Sequence, residues 1–151
     1  MNDYTFTTYW YGFKQDTPST EAEMMVLLEG LGRNILKHLG DVDLGRSLRI
    51  FMHDQENRTV GGITADLFGG WAYISLLWVE ESLRNQGFGS ELLHRLETEA
   101  INLGCTNAHL DTYSYEARPF YERAGYEVFG KLDDYPPGYC KYFLRKSLQV
   151  T

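Results

Sequence analysis

The segment between residues 71 and 104 constrains the fold more than any other part of the chain. Trp71–Val79 is almost wholly apolar, which is typical of a β-strand buried on both faces. A short turn with two glycines follows and leads directly into apolar residues at helical spacing, namely Phe88, Leu92, Leu96, Ala100 and Leu103. Gly104 is placed to end this helix. A strand that turns at once into an amphipathic helix predicts a layered domain with helices packed on a sheet.

The remaining segments predict further strands and helices around this unit. Strand composition marks six other stretches, over residues 4–13, 47–53, 58–67, 106–113, 126–132 and 139–148. Helices are expected over residues 20–40 and 115–124, and Gly30 and Gly32 predict a bend or two short helices in the first. The pair Gly61-Gly62 predicts a bulge. The order β-α-β-β-β-α-β-α-β-β predicts an α/β (α+β layered) fold, with a single domain over residues 1–151.

Charge and composition disfavour several classes of protein. Asp plus Glu (21) exceed Lys plus Arg (14), so the formal net charge of −7 disfavours nucleic acid as a partner. The two cysteines have no metal-ligand spacing, and Cys140 is expected to be a buried thiol rather than a nucleophile. The chain shows neither an apolar run of membrane-spanning length nor a signal-peptide pattern. We therefore expect a cytoplasmic protein that uses no metal and does not bind a membrane.

The turn before the amphipathic helix has the properties of an anion-binding site. The start of a helix presents backbone N–H groups without partners together with the positive end of the helix dipole. Gly87 and Gly89 let the backbone approach a ligand closely, and Arg84 adds a positive charge. No Gly-Lys-Ser/Thr sequence follows, which excludes a Walker A loop, and the glycine spacing fits a dinucleotide fingerprint poorly. The turn therefore predicts a phosphate site of another kind.

These residues resemble a known motif. Arg84, Gly87 and Gly89 stand at the spacing of the acetyl-CoA motif of the GNAT superfamily of N-acetyltransferases. The downstream segment from Ala117 to Tyr126 is similar to that family's second motif, and one strand separates the two segments, as in the family. The resemblance implies a mixed, mostly antiparallel sheet of six to seven strands with helices on both faces. It also implies that the two parallel strands at the centre of the sheet splay apart.

The resemblance implies acetyl-CoA as the cosubstrate and a set of residues that hold it. The expected cofactor contacts are Leu77, Trp78, Val79, Arg84, Asn85, Gln86, Gly87, Phe88, Gly89, Ser90, Ser114, Ala117 and Phe120. Ser114 stands where many members have Asn, and it is expected to cap the helix that follows. Tyr121 stands at the position of the family's general acid. This role suits a phenol, which is protonated at neutral pH and can donate a proton to a departing thiolate.

The general base and the acceptor stay open at this point. Asp111, Glu80, Glu116 and His53 are candidate bases, although for each the sequence favours an ordinary solvated or hydrogen-bonded polar side chain. The resemblance also allows a chain of waters to take the place of a dedicated base. The resemblance places the acceptor near residues 20–40, 64–68 and 133–142. Within and beside these segments, Asp66, Asp111, Asp133 and Tyr135 are candidates to receive a cationic amine. Residues 133–138 read equally well as a hairpin connection.

Three functions are compatible with these observations. We expect an N-acetyltransferase that acts on a primary amine by direct attack in a ternary complex, with a small cationic amine as the favoured acceptor. The alternatives are an enzyme that acetylates protein N-termini or lysines, and a non-catalytic acyl-CoA-binding sensor or scaffold. Strand addition at the C-terminal edge of the sheet would allow a homodimer.

Overall fold

The computed structural model describes residues 20–40 and 45–148, so the strand expected over residues 4–13 lies outside the described residues. The chain divides into two compact units, residues 1–42 and 43–151, and the single-domain organisation stays a prediction. In the first unit, helix α1 (Glu21–Leu39) runs without a break through Gly30 and Gly32, so the alternative of two short helices is wrong. The many helix-favouring Leu, Met and Glu residues around these glycines offset their cost of about 1 kcal/mol each. Among the described residues, no helix is long and apolar enough to cross a membrane.

The second unit is a mixed six-stranded sheet. Its strands are β1 (Arg46–His53), β2 (Thr59–Phe68), β3 (Trp71–Val79), β4 (Asn107–Tyr113), β5 (Glu127–Asp133) and β6 (Cys140–Ser147), in the spatial order β1-β2-β3-β4-β6-β5. Only β3 and β4 pair in parallel, and the other four pairings are antiparallel. Helix α2 (Phe88–Asn102) connects the two parallel strands, and helix α3 (Arg118–Arg123) follows β4. The prediction of a mostly antiparallel sheet with flanking helices is confirmed.

One face of the sheet packs against α2 and forms the core. Leu92, Leu96 and Ala100 of the helix meet alternate residues of the strands, such as Ile63 and Leu110, and all five are almost fully buried. The spacing of apolar residues predicted this contact, because positions i, i+4 and i+8 share one face of a helix. The sequence-based prediction of burial was wrong at two places.

The first error concerns the end of α2. Leu103 continues the helical spacing but is the C-cap residue and remains 43% exposed, because the chain leaves the helix there with Gly104 at φ +91°. The second error concerns β3, because within the part of the chain that the structure describes this strand is buried on one face only. Leu76 and Trp78 on its other face are 68% and 51% exposed. An unbroken apolar sequence does not distinguish a strand that is buried on both faces from one that is buried on a single face.

Candidate active site

The parallel strands β3 and β4 separate halfway along their length. They pair from Trp71 to Ile74 on β3 and from Asn107 to Leu110 on β4, and the pairing ends there. A bulge in β3 coincides with this point, since Ile74 pairs with β2 and Leu76 pairs with the next β2 residue, which leaves Ser75 out of register. A bulge increases the local bend and twist of a strand, which accounts for the divergence. The predicted splay of the central strands is therefore confirmed.

A second irregularity lies where the sequence predicted a bulge. Val60 of β2 has no partner in β1, directly before Gly61. A Cβ atom at Gly61 would lie 3.1 Å from the Trp78 carbonyl oxygen, so the close approach of β3 leaves little room for a side chain there. The pair Gly61-Gly62 thus lets β2 support the splayed half of β3.

The gap between the diverging strands is a cleft of about 560 Å³, which we call the splay cleft. Its walls are the far half of β3 on one side and the end of β4 with the following turn on the other. The lining residues are Ile74, Ser75, Leu76, Leu77, Trp78, Val79, Arg84, Asp111, Thr112, Tyr115, Glu116, Ala117 and Tyr121. Backbone groups of β3 beyond Ile74 have no strand partner on this side. They can therefore pair with an extended ligand, as a sheet edge does.

The loop over residues 80–87 connects β3 to α2 and begins with a single 3₁₀ turn, Glu81–Leu83. Asn85 and Gly87 adopt left-handed backbone angles, with φ of 61° and 88°. The Gln86 side chain donates to the Ser82 carbonyl oxygen at 3.0 Å, and Arg84 Nε donates to the Val79 carbonyl oxygen at 3.1 Å. The loop is thus held in place by its own side chains.

The conformation of this loop leaves the start of α2 open. The first backbone bond into the helix runs from Glu91 to the Gly87 carbonyl oxygen at 3.0 Å. Within residues 20–40 and 45–148, no group accepts a hydrogen bond from the N–H of Phe88, Gly89 or Ser90. Those three donors, with the helix dipole behind them, have the arrangement that the predicted anion site requires, and the binding of an anion there stays a prediction.

A second cleft of about 420 Å³ lies against this loop and runs into the splay cleft. The two share five lining residues, namely Leu77, Val79, Arg84, Ala117 and Tyr121. The second cleft is also lined by Leu83, Asn85, Gly87, Gly89, Ser90, Phe120 and Arg123. One continuous depression therefore leads from the start of α2 into the gap between the strands.

Tyr121 lies where the two clefts meet. Its ring packs edge-on against Phe120 and Tyr126, at centroid distances of 5.0 and 5.8 Å, and only 7% of the residue is exposed. No described residue hydrogen-bonds to its hydroxyl group. Burial raises the pKa of Tyr121 to about 12, and the negative charge of Glu116 contributes in the same direction. The phenol therefore keeps its proton at any ordinary pH.

The helix that carries Tyr121 begins differently from the prediction. Ala117 is the N-cap residue of α3, and Pro119 occupies the first turn, where its missing N–H has no cost. Ser114 does not cap α3. Its hydroxyl accepts the Cys140 N–H at 3.1 Å and its own N–H donates to the Cys140 carbonyl oxygen at 2.8 Å. The hydroxyl of Ser114 is thus used to hold the end of β4 against β6.

Of the four candidate bases, Glu116 and Asp111 line the splay cleft. Asp111 is engaged on both oxygens, by Lys141 Nζ at 2.8 Å and by the Tyr73 hydroxyl at 2.8 Å. Glu116 is held on one oxygen, Oε2, which accepts the Thr112 hydroxyl and the Tyr113 N–H, both at 3.1 Å. No donor among the described residues bonds to its second oxygen, so Glu116 is a positioned carboxylate with one oxygen available.

The other predicted acceptor residues lie outside the two clefts. Asp66 accepts the Ser47 hydroxyl at 2.9 Å, and Asp133 pairs with Lys131 at 2.5 Å. Tyr135 stacks against Tyr113, with centroids 6.1 Å apart. A role for these three residues in acceptor binding stays a prediction. Cys140 is only half-buried, so the expectation of a buried thiol there is wrong.

The connection between β5 and β6 is a hairpin, as one of the two readings of residues 133–138 predicted. The sequence analysis did not name several residues that line the clefts, among them Tyr115 and Arg123. Tyr115 is 58% exposed on the wall of the splay cleft, and parallel stacking on Tyr113 at 5.3 Å holds its ring. Nothing in the sequence distinguished Tyr115 as a site residue, because it is one of 11 tyrosines in the chain and lies in a turn without a motif.

A depression of about 600 Å³ between α2 and β6 holds none of the predicted site residues. It is lined by His94, Glu97, Thr98, Ile101, Gly125, Glu127, Arg145, Lys146, Ser147 and Leu148. Its size alone does not make it the site, because it lacks both the open helix start and the buried phenol.

Comparison with known proteins agrees with this geometry. Residues 13–126 match the sequence profile of the acetyltransferase (GNAT) family. The chain is 33% identical to an acetyltransferase of Agrobacterium fabrum over 131 residues, which cover 87% of this chain and 94% of that protein. It is 34% identical to blasticidin-S acetyltransferase of Streptomyces morookaense over 95 residues, which cover 62% of this chain and 70% of that protein.

A solved structure extends the likeness to the fold. The crystal structure of an acetyltransferase from Bacillus cereus is similar with a TM-score of 0.80 and 30% identity, over 89% of this chain and 98% of that chain. The resemblance stated from Arg84, Gly87, Gly89 and Tyr121 is thus confirmed at the level of the family. The chain therefore belongs to the GNAT family, and it is an acetyl-CoA-dependent N-acetyltransferase.

Proposed function

We propose that this protein transfers an acetyl group from acetyl-CoA to the primary amine of a small molecule, by direct attack in a ternary complex. One observation carries the proposal. A buried tyrosine that keeps its proton, Tyr121, lies where an open helix start and a gap between parallel strands meet in one depression. The helix start suits a pyrophosphate, the gap suits an extended amide chain, and the phenol suits a leaving thiolate.

The residues of both clefts fit acetyl-CoA. The N–H groups of Phe88, Gly89 and Ser90 would bind the pyrophosphate, with Asn85, Gln86 and Arg84 shaping the loop around it. The far half of β3 from Leu77 through Trp78 to Val79 would pair with the pantetheine amides, and Ala117 and Phe120 would line the opposite wall. When bound, acetyl-CoA supplies an activated acyl group on a thiol leaving group. The Ser114 hydroxyl accepts the Cys140 N–H, and a contact between Ser114 and the cosubstrate stays a prediction.

Two side chains of the splay cleft would move protons. The incoming ammonium group would first lose one proton to solvent, so that a neutral amine attacks the acyl carbon. As the bond forms, the nitrogen becomes acidic, and the available oxygen of Glu116 would accept its second proton. As the bond from the acyl carbon to sulfur breaks, the Tyr121 hydroxyl would donate a proton to the sulfur. A backbone N–H of β3 would stabilise the negative charge on the acyl oxygen between these events.

A small molecule is favoured over a protein as the acceptor. The relative from Streptomyces morookaense is a blasticidin-S acetyltransferase by name, so at least one similar chain acts on a small molecule. The net charge of −7 and the carboxylate of Glu116 favour an acceptor that arrives as a cation. Trp78 and Tyr115 expose rings on the walls of the cleft, and such rings bind both apolar and cationic groups.

Thiol release from acetyl-CoA tests the proposal. We expect amine-dependent release with members of a panel of small primary amines, and little release with peptides that carry a free N-terminus or lysine. Release with peptides alone would favour a protein-modifying enzyme. Binding of acetyl-CoA without release by any amine or peptide would contradict the proposal.

Replacing Glu116 with Gln is expected to lower kcat/KM for the acceptor amine by about 100-fold, the lower end of the usual contribution of a general base, because the amide cannot accept the proton. The dissociation constant for acetyl-CoA should stay unchanged, because Glu116 faces the acceptor rather than the helix start. Initial rates at subsaturating amine and calorimetric binding of acetyl-CoA measure the two quantities.

Glu80→Gln is the matched control, since Glu80 is an exposed carboxylate next to β3 that lines neither cleft. The control should leave kcat/KM unchanged. Equal effects of the two substitutions on kcat/KM would rule out a specific role for Glu116.

Replacing Gly87 with Ala is expected to weaken acetyl-CoA binding about tenfold. A side chain at φ +88° costs about 1–2 kcal/mol, and relief of this strain would turn the N–H groups of the loop away from the phosphates. Calorimetric titration with acetyl-CoA measures the affinity, and thermal unfolding measures the stability.

Gly104→Ala separates the two effects. Gly104 has φ +91° with nothing near its Cβ position, as at Gly87, but it lies at the far end of α2. Both substitutions should destabilise the fold by similar amounts, and only Gly87→Ala should weaken binding. An equal loss of affinity in both variants would mean that strain in general, rather than the loop, controls binding.

A further inference from the structure

A groove between α2 and α3 extends the depression beyond the start of α2. It has a volume of about 360 Å³ and is lined by Ser90, Leu93, His94, Glu97, Phe120, Arg123, Ala124 and Lys146. Ser90, Phe120 and Arg123 also line the cleft at the loop, so the groove and the cleft are joined. A ligand whose phosphates sit at the start of α2 can therefore continue into this groove.

Arg123 carries the only charge in this groove that another group does not balance, among the described residues. The Glu97 carboxylate is neutralised by Lys146 Nζ at 2.7 Å and also accepts the Tyr126 hydroxyl at 2.9 Å. No carboxylate of the described residues lies within ion-pair distance of the Arg123 guanidinium group. The groove is thus locally positive, although the chain as a whole has a net charge of −7.

Two arginines near Arg123 differ from it in that each is paired with a carboxylate. Arg118, on the same short helix, bonds to Glu122 at 3.0 Å and lies over the Tyr142 ring at 4.4 Å. Arg95 bonds to Glu91 at 2.6 Å on the solvent side of α2. An unpaired guanidinium group with five donors, exposed in a groove, is suited to a phosphate.

Phe120 adds a flat apolar surface to the same groove. Its ring lies 3.6 Å from the position that a Cβ atom of Gly89 would occupy, so it stands directly beside the open helix start. The ring is partly buried and lines both the cleft and the groove. A planar base can pack against such a ring while its phosphates reach the helix on one side and an arginine on the other.

From these contacts we infer that Arg123 binds the 3′-phosphate of the cosubstrate and thereby selects coenzyme A over 3′-dephospho-coenzyme A. The inference rests on the proposed binding of acetyl-CoA at the start of α2. Arg123 touches the ligand but takes no part in the transfer of the acetyl group. Its contribution is to affinity and to the choice of cosubstrate.

Binding of two ligands to three proteins tests this role. Dissociation constants for coenzyme A and 3′-dephospho-coenzyme A are measured by calorimetry on the unaltered protein, Arg123→Gln and Arg95→Gln. For the unaltered protein we expect coenzyme A to bind about tenfold more tightly, the value of one charged hydrogen bond at an exposed site. Arg123→Gln should make the two dissociation constants similar, because it weakens the binding of coenzyme A alone. Arg95→Gln should keep the tenfold ratio.

The contrary results are distinct. Equal affinities in the unaltered protein, or a ratio that survives Arg123→Gln, would overturn the assignment of Arg123 and leave the site at α2 intact. A loss of affinity for both ligands in Arg123→Gln would show a structural role instead. Failure of the unaltered protein to bind either ligand would overturn the proposed function itself, and with it this inference.

Discussion

Replacing Tyr121 with Phe is expected to lower kcat by about 100- to 10,000-fold, the usual contribution of a general acid. The change removes only the hydroxyl group and keeps the ring, which packs against Phe120 and Tyr126 in a site that is 7% exposed. Because no described residue bonds to that hydroxyl, its loss breaks no internal hydrogen bond. Binding of acetyl-CoA and the free energy of unfolding should therefore change little, and the loss should appear in turnover.

The pH dependence gives a second measure of the same residue. The pKa of Tyr121 is raised from 10.0 to about 12, mainly by burial, so the folded protein keeps this proton at higher pH than a free phenol does. Activity that depends on the protonated form should therefore persist past pH 10 and fall only as the pH approaches about 12. A fall of kcat that follows ionisation near pH 10 would point to another acid.

Tyr126→Phe is the matched control, since it removes a second buried hydroxyl group from the same aromatic cluster. That hydroxyl donates to Glu97 at 2.9 Å, and Tyr126 lines neither the splay cleft nor the cleft at the loop. The control should cost about 1 kcal/mol of stability and leave kcat nearly unchanged. Full turnover in Tyr121→Phe across the pH series would remove Tyr121 from the mechanism.

Replacing Leu96 with Ala is expected to lower the free energy of unfolding by about 2–5 kcal/mol, because the side chain is fully buried and its loss leaves a cavity. Leu96 lies at the centre of the α2 face that packs on the sheet, among Leu92, Ile63 and Leu110. Leu103→Ala should cost less than about 1 kcal/mol, since that side chain is 43% exposed at the end of the same helix. Denaturant unfolding of the two variants measures the difference.

The comparison of Leu96 with Leu103 is informative because the periodicity of the sequence treats the two alike. Similar losses of stability in both variants would show that Leu103 is covered in solution, contrary to the structure. A small loss in Leu96→Ala would show that the contact between α2 and the sheet contributes little to the fold. Either result would revise the account of the core.

Local patterns predicted the elements because helices and strands have fixed periods. The spacing of Leu92, Leu96 and Ala100 identified the buried face of α2, and the apolar stretch identified β3 at the bounds that the structure has. The same patterns were wrong about Leu103 and about the second face of β3. Burial at those positions depends on which residues pack against them, and the spacing of apolar residues in the sequence does not give this information.

In the candidate site too, some features follow from the local sequence and others depend on contacts between distant residues. A glycine that needs φ near +88° and an open helix start are local features, so the positions of Gly87 and Gly89 could be predicted. Whether a carboxylate is available depends on its neighbours in space. Asp111 is matched by Lys141 across the β4·β6 ladder, whereas Glu116 keeps one oxygen available beside Tyr121. Residue types alone ranked these two acids equally.

By itself, the sequence determined that a strand, a glycine turn and an amphipathic helix follow one another, and hence that the N–H groups at 88–90 are open to an anion. Only the tertiary structure decided where β3 and β4 part, which places Tyr121 in the gap and shifts its pKa by burial. It also decided that Arg123 is left without a carboxylate partner among the described residues. The physical reason is the distance along the chain over which each effect acts. Backbone geometry acts over a few residues, whereas burial and charge pairing depend on groups brought together from distant parts of the chain.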